Sequence, residues 1–306
     1  MKRLWIASLA IFACGSLGLW FVHSLLSSIS ASSQATPAQQ PTVFASPSPT
    51  VEDIPKYQVY SLPNSEIHTV TIAPNSRFKV SISFSPTLEP LGQFGKSQNA
   101  IAVLNGGFFD PKNEKTTSYV TKNGKVVLDP KKNDRLIENP NLQPYLPKIL
   151  DRSEFRQYDC GEKTQYAIAP HSAEVPSSCK LVDAIGGGPQ LLPRLTAQAE
   201  GFVDEQVGRD SIGVTQRNAR SAIGILKDGS VILVMAAQKP EAPQNSGMSV
   251  QAMTSFLQRL GVEQALNLDG GSSSALIYQD QTFYGKVDKD GKPVPRAIKS
   301  AVIVHE

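Results

Sequence analysis

Phe78, Val80, Ile82 and Phe84 are apolar, and the residues between them, Lys79, Ser81 and Ser83, are polar. A period of two over this length is the signature of a strand with one buried face. Residues 57–60 and 67–72 favour strands as well, so the folded part of the chain opens as sheet. A short helix is predicted over 88–97, although Gly92 and Gly95 interrupt it. Residues 119–128 read as a hairpin across Asn123-Gly124, and 223–235 as another across Asp228-Gly229. The clearest helix has Ser249 as N-cap, Val250, Met253, Phe256, Leu257 and Leu260 on one face, and Gly261 as its stop. Met248 is placed to staple onto Met253 across that cap. Strands 275–278 and 300–305 close the chain, with a polar loop at 286–292 before the second. Residues 129–179, rich in Pro, Asn, Asp and Lys, show no period and read as a long excursion forming a rim or lid. Together these elements predict an α+β fold: mixed, strand-rich sheets and a few packing helices in a single domain.

Three apolar runs stop at glycines. Residues 101–104 lead into Asn105-Gly106-Gly107-Phe108-Phe109, residues 181–185 into Gly186-Gly187-Gly188-Pro189, and Leu266 and Leu268 into Asp269-Gly270-Gly271, followed by Ser272, Ser273 and Ser274. Glycines at a strand end let the backbone turn sharply and can leave N–H groups exposed as an anion-binding nest. The serine hydroxyls add donors, Asn105 offers both a donor and an acceptor, and Phe109 can wall a ligand. The plain alternatives are a Gly-Gly turn capped by Asp269 and a strand that buries its aromatics. Pro189 after the third glycine argues against a dinucleotide loop, which needs GxGxxG opening a helix. Arg220, at the entrance of the 223–235 hairpin, is the candidate phosphate-gripping fork, and Arg296 stands ahead of the last strand.

The chain has 306 residues, 40% of them hydrophobic, enough for a substantial core. Its formal charge of +3 falls to +1 once Lys2 and Arg3 are set aside, and no basic stripe marks nucleic-acid binding. Met1-Lys2-Arg3 and the apolar residues 4–26 read as an export signal or an uncleaved membrane anchor, spanning 1–30. Residues 31–54, rich in Ser, Pro and Thr, form a linker, which leaves 55–306 as the domain, placed outside the cytoplasm. In such a compartment Cys160 and Cys179 are expected to pair as a disulfide. No spacing matches a metal loop, so no cofactor is expected, although Asp269 beside Asn and Ser oxygens leaves room for a divalent cation.

Three stretches taken together, Asn105-Gly-Gly-Phe-Phe109, Asn218-Ala-Arg-Ser-Ala-Ile-Gly224 and Asn267-Leu-Asp-Gly-Gly-Ser-Ser273, resemble the phosphodiester glycosidase family, in the same order. The resemblance runs over residues 60–306 and is strongest from Arg220 onward. Ser272 replaces a third glycine that the family often carries, and Arg220-Ser221 stands for its Arg-Thr pair. The segment 129–179 has no counterpart. The resemblance implies hydrolysis of a sugar-1-phosphodiester belonging to a phosphorylated glycan or envelope polymer. Asp269 would act as base or nucleophile at the anomeric carbon, with Arg220 and Asn105 in the catalytic set. Gly106, Gly107, Phe109, Gly187, Gly188, Gly270, Gly271, Ser272, Ser273 and Arg296 would hold the substrate.

The chemistry agrees with that expectation. Ordinary glycosidases need a carboxylic acid to protonate an alkoxide leaving group and a second carboxylate for the rest of the reaction. A phosphate monoester has its second pKa near ~6 and leaves with little proton help, given cations or N–H groups around it. Two rivals remain: a non-catalytic module that binds phosphorylated polysaccharide, and a serine hydrolase using one of Ser272–Ser274. The second needs a histidine base, and His68, His171 and His305 are the candidates.

Overall fold

The computed structural model describes residues 54–306; the signal or anchor and nearly all of the linker lie outside them. Three antiparallel sheets share one core. The first has six strands in the spatial order Lys56–Leu62, Ser65–Ile72, Val231–Ala237, Arg220–Leu226, Val262–Asn267 and Gln190–Leu192. The second orders Gln281–Tyr284, Ala275–Tyr278, Ala102–Asn105, Ile298–His305 and Lys79–Glu89. The third orders Lys125–Leu128, Val120–Lys122, Lys180–Gly186, Ser153–Asp159 and Thr164–Pro170. The result is strand-rich α+β.

Alternation decides which face meets which core. Ile223, Leu233 and Leu266 of the first sheet join Val80, Leu104 and Val302 of the second and Val120, Phe155 and Ile185 of the third in one apolar cluster. Their neighbours Ala222, Ile232 and Val234 face the opposite way, onto Met253, Phe256 and Leu257 of the helix Val250–Arg259. With both faces covered, every residue of Val231–Ala237 is buried, which explains its unbroken apolar run. The helix begins as its sequence predicts, with the Ser249 hydroxyl accepting from the Ala252 N–H at 3.1 Å. Asn123 and Gly124 take positive φ of 51° and 73°, the conformation a tight hairpin turn requires.

The segment 129–179 is not an irregular excursion. Short helices occupy its first part, and Ser153–Asp159 and Thr164–Pro170 are paired strands of the third sheet. Cys160 and Cys179 are bonded, and they join the ends of Ser153–Asp159 and Lys180–Gly186, already paired in register at Asp159 and Lys180. The bridge closes a separation of 19 residues, for which chain entropy gives a contribution of about 3 kcal/mol. Replacing both cysteines by serine is therefore expected to lower Tm by several degrees and leave kcat unchanged, because the bond stands at a hairpin end and no site residue touches it. An unchanged Tm in the double variant contradicts this assignment.

Candidate active site

The three strand-to-glycine turns come from three different sheets and meet at Asn267–Asp269. The Asp269 N–H donates to the Gly106 carbonyl at 3.0 Å, and its own carbonyl accepts from Asn105 Nδ2 at 2.7 Å. The Gly188 N–H donates to the Asn267 carbonyl at 2.7 Å. Asp269 is thus fixed by its backbone while its carboxylate stays directed into a cavity of about 440 Å³. Phe108, Asp210, Gln216, Asn218, Arg220 and Asn267 are among its walls.

Burial drives the Asp269 carboxyl up to about 6, while Ser273, Arg296 and the Gly270 N–H hold it back. The Gly270 N–H is bonded to Oδ1 at 2.9 Å. The Ser273 hydroxyl, itself buried, is close enough to act on the carboxylate without meeting any acceptor in full hydrogen-bond geometry. Arg296 donates to the Ser272 hydroxyl at 2.9 Å and lies 4.8 Å over the Phe109 ring. Lys286 adds a further cation, with Nζ 3.4 Å from Asn218 Oδ1.

Several candidate residues are hydrogen-bonded within the fold. Asn105 is fully buried, and its Oδ1 accepts from the Ser221 hydroxyl at 2.6 Å and the Ala275 N–H at 3.2 Å, so its amide locks three strands around Asp269. The glycine N–H groups are not open nests. Gly106 and Gly107 donate to the Ser300 carbonyl and hydroxyl, Gly187 and Gly188 to Ser153 and Asn267 carbonyls, and Gly271 to the Ala219 carbonyl. These glycines allow close backbone approach: a Cβ on Gly107 would stand 2.4 Å from the Gly186 carbonyl oxygen, and one on Gly187 would stand 2.5 Å from that of Asn267. Phe109 is buried beneath Arg296, and Phe108, its neighbour, takes the place at the pocket wall.

Arg220 is not a free phosphate fork. Its Nε donates to the Met248 carbonyl at 3.1 Å, Nη1 to Ile212 at 2.9 Å, and Nη2 to Gly213 at 2.7 Å and Gln216 at 3.0 Å. Three of its five N–H groups thus hold the loop 211–217 against the first sheet, a fourth holds Met248, and the fifth makes no hydrogen bond with the described residues. Burial lowers its pKa to about 10, so it remains a cation at neutral pH.

Asn267, although it opens the third motif, and Asp210 are not among the site residues the sequence predicts. Asn267 donates to the Gly188 and Leu268 carbonyls at 2.8 and 2.9 Å, which turns its Oδ1 toward the pocket. Its place two residues before Asp269 in that motif was the available signal. Asp210 accepts from the Val214 N–H at 2.8 Å and anchors the same loop as Arg220; nothing local in the sequence marks it. The histidines are engaged elsewhere: His68 with Tyr57, His171 with Glu154 and Tyr119, His305 with Ser81. None offers Ser272–Ser274 a base. Among the described residues no group of three or more His, Cys, Asp or Glu side chains is placed to hold a metal ion.

The fold is shared with solved structures of low sequence identity. The catalytic domain of zebrafish N-acetylglucosamine-1-phosphodiester alpha-N-acetylglucosaminidase, auto-inhibited by its pro-peptide, superposes with a TM-score of 0.60 at 18% identity, over 82% of this chain and 83% of that one. A hypothetical protein from Synechocystis gives 0.52 at 18% identity, over 82% and 61%. A protein of Burkholderia pseudomallei inferred to be exported gives 0.51 at 14%, over 79% and 74%. No curated protein matches the chain in sequence. The profile of the phosphodiester glycosidase family matches residues 98–305, which contain all three glycine turns, the pocket and Asp269, and the chain therefore belongs to that family.

Proposed function

We propose that this protein hydrolyses the C1–O bond of a sugar-1-phosphodiester, releasing the sugar from a phosphorylated glycan or envelope polymer outside the cytoplasm. One observation carries the reading: a single carboxylate with a raised pKa is clamped at the floor of a polar pocket with cations around it. Asp269 supplies the basic oxygen at the anomeric carbon, either directly or by taking a proton from water. As C1–O breaks, the electron pair passes to the phosphate oxygen, and the phosphate leaves as a monoester that needs charge stabilisation more than a proton. Arg296, Lys286 and the remaining Arg220 N–H are the groups able to supply it. Asp210, the other carboxylate of the pocket, accepts from the Val214 N–H and anchors the loop 211–217, which suits a reaction that asks for one carboxylate at the anomeric carbon. The Cys160–Cys179 disulfide supports an oxidising compartment.

The test is a product assay over a panel: sugar-1-phosphate diesters, nucleotide sugars, teichoic-type polymers, and aryl or alkyl glycosides of the same sugars. The proposal expects free sugar from at least one phosphodiester and none from the matching alkyl glycosides. Binding of phosphodiesters without release of sugar would make the protein a binding module.

A further inference from the structure

Outside the Asp269 pocket the fold gathers two guanidinium groups without giving either a carboxylate partner. Arg152 Nε donates to the Glu200 carbonyl at 3.2 Å, and Arg209 Nε donates to the adjacent Gly201 carbonyl at 3.1 Å. Arg152 lies flat on the Phe202 ring, 3.6 Å from its centroid, and Arg209 lies 4.6 Å over Tyr145. One backbone turn and two aromatic rings therefore fix both forks. Their Nη groups make no hydrogen bond or ion pair with described residues, and none is a sealed, unsatisfied atom, so all remain reachable.

The two charges act on each other. Burial lowers the Arg152 pKa to about 9, Glu200 opposes that fall, and Arg209 adds to it. The Glu200 carboxylate forms no ion pair with Arg152 and instead accepts from the Ser153 hydroxyl at 2.8 Å, the Gln190 N–H at 3.0 Å and the Thr196 hydroxyl. Asp204, on the short hairpin that carries Arg209, accepts from the Tyr145 hydroxyl at 2.8 Å. Holding like charges together, with nearby carboxylates committed elsewhere, suits an anion that arrives from outside.

The location gives that anion a meaning. Phe202, beneath Arg152, packs 5.8 Å from Phe108 of the Asp269 pocket, and Asp210, which follows Arg209 in the chain, lines the same pocket. The arginine pair thus adjoins the pocket wall. We propose that Arg152 and Arg209 form a second anion subsite that holds another phosphate of the substrate, which makes the substrate a chain bearing several phosphates. This deepens the phosphodiester reading above and rests on it. Arginine suits the task, because a planar fork grips phosphate oxygens in pairs and its stacked ring sets its direction.

Calorimetric titration of the full chain with inorganic tripolyphosphate tests the subsite without requiring turnover. Tripolyphosphate is expected to bind the unaltered protein, and Arg209→Gln to weaken it by about tenfold or more. Arg152→Gln should do the same if it melts normally; Arg209, half-exposed, decides the matter if it does not. Arg259→Gln, an exposed cation at the end of the helix Val250–Arg259, controls for net charge and should leave binding unchanged. Absence of tripolyphosphate binding, or equal binding by Arg209→Gln and the unaltered chain, overturns the subsite. Failure of the phosphodiester reading would show separately, as absence of released sugar in the product assay.

Discussion

Asp269→Asn is expected to cut kcat by about 100- to 10,000-fold while making the protein more stable at neutral pH. Asparagine keeps the shape of the side chain and an acceptor for the Gly270 N–H, so the turn is preserved and the basic oxygen is lost. The stability gain follows from the direction of the Asp269 shift. Its folded pKa of about 6 lies above the ordinary carboxylate value of 3.8, so the folded state binds more protons than the unfolded state between those values. Stability of the unaltered protein therefore falls as pH rises through that window and stays lower above about 6. Partial exposure of the side chain reduces the effect to about 1–2 kcal/mol. Asparagine cannot ionise, and the variant should lack this slope. The same ionisation should govern activity, with kcat/KM falling as pH drops through about 6. Were Asp269 merely a cap on a Gly-Gly turn, its Asn variant would keep turnover.

The second large effect belongs to Arg220, and it is an effect on folding. Arg220→Lys retains a charge but replaces a planar fork by a single ammonium that cannot reach the carbonyls of Met248, Ile212, Gly213 and Gln216 together. A buried Met248 carbonyl and three partly buried loop carbonyls without donors, beside a buried cation with fewer partners, should cost about 2–4 kcal/mol. Urea unfolding measures that loss, and hydrogen exchange should show the loop 211–217 opening before the sheet. Activity should fall with it, since Gln216, Gly213 and Asp210 all line the pocket. A variant with unchanged stability and specifically weakened phosphate affinity would restore Arg220 to the role of a free clamp.

These two residues also show how far the sequence can be read. The period-two strands, the hairpins at Asn123-Gly124 and Asp228-Gly229, and the capped helix depend on local pattern, and local pattern placed them. The three glycine turns were visible for the same reason. What each N–H group bonds to was not, because it depends on neighbours far away in sequence: Gly106 meets Ser300, and Gly188 meets Asn267. Glycine serves open nests and tight backbone crossings alike, and here it serves the crossings. Arg220 was legible as a site residue, but its partners in 212–216 and at Met248 are set by loop geometry.

Ser153–Asp159 was illegible for a different reason. Its buried residues include Glu154, Arg156 and Gln157, so no apolar alternation marks it. Arg156 is buried because its guanidinium is satisfied by Glu154 and by the carbonyls of Pro170, His171 and Ala173. That solution is tertiary, and a chain read in order presents it as a polar loop. Arg152, at the edge of the same strand, was missed with it.

The central claim is that water attacks carbon, not phosphorus, with Asp269 as the group responsible. Hydrolysis of an active sugar-1-phosphodiester in ¹⁸O-water, with both products analysed by mass spectrometry, measures this directly. The account predicts the label in the C1 hydroxyl of the released sugar and none in the phosphate monoester, with Asp269→Asn releasing almost no sugar. Label in the phosphate would mean that the P–O bond is cleaved, and it would contradict the account.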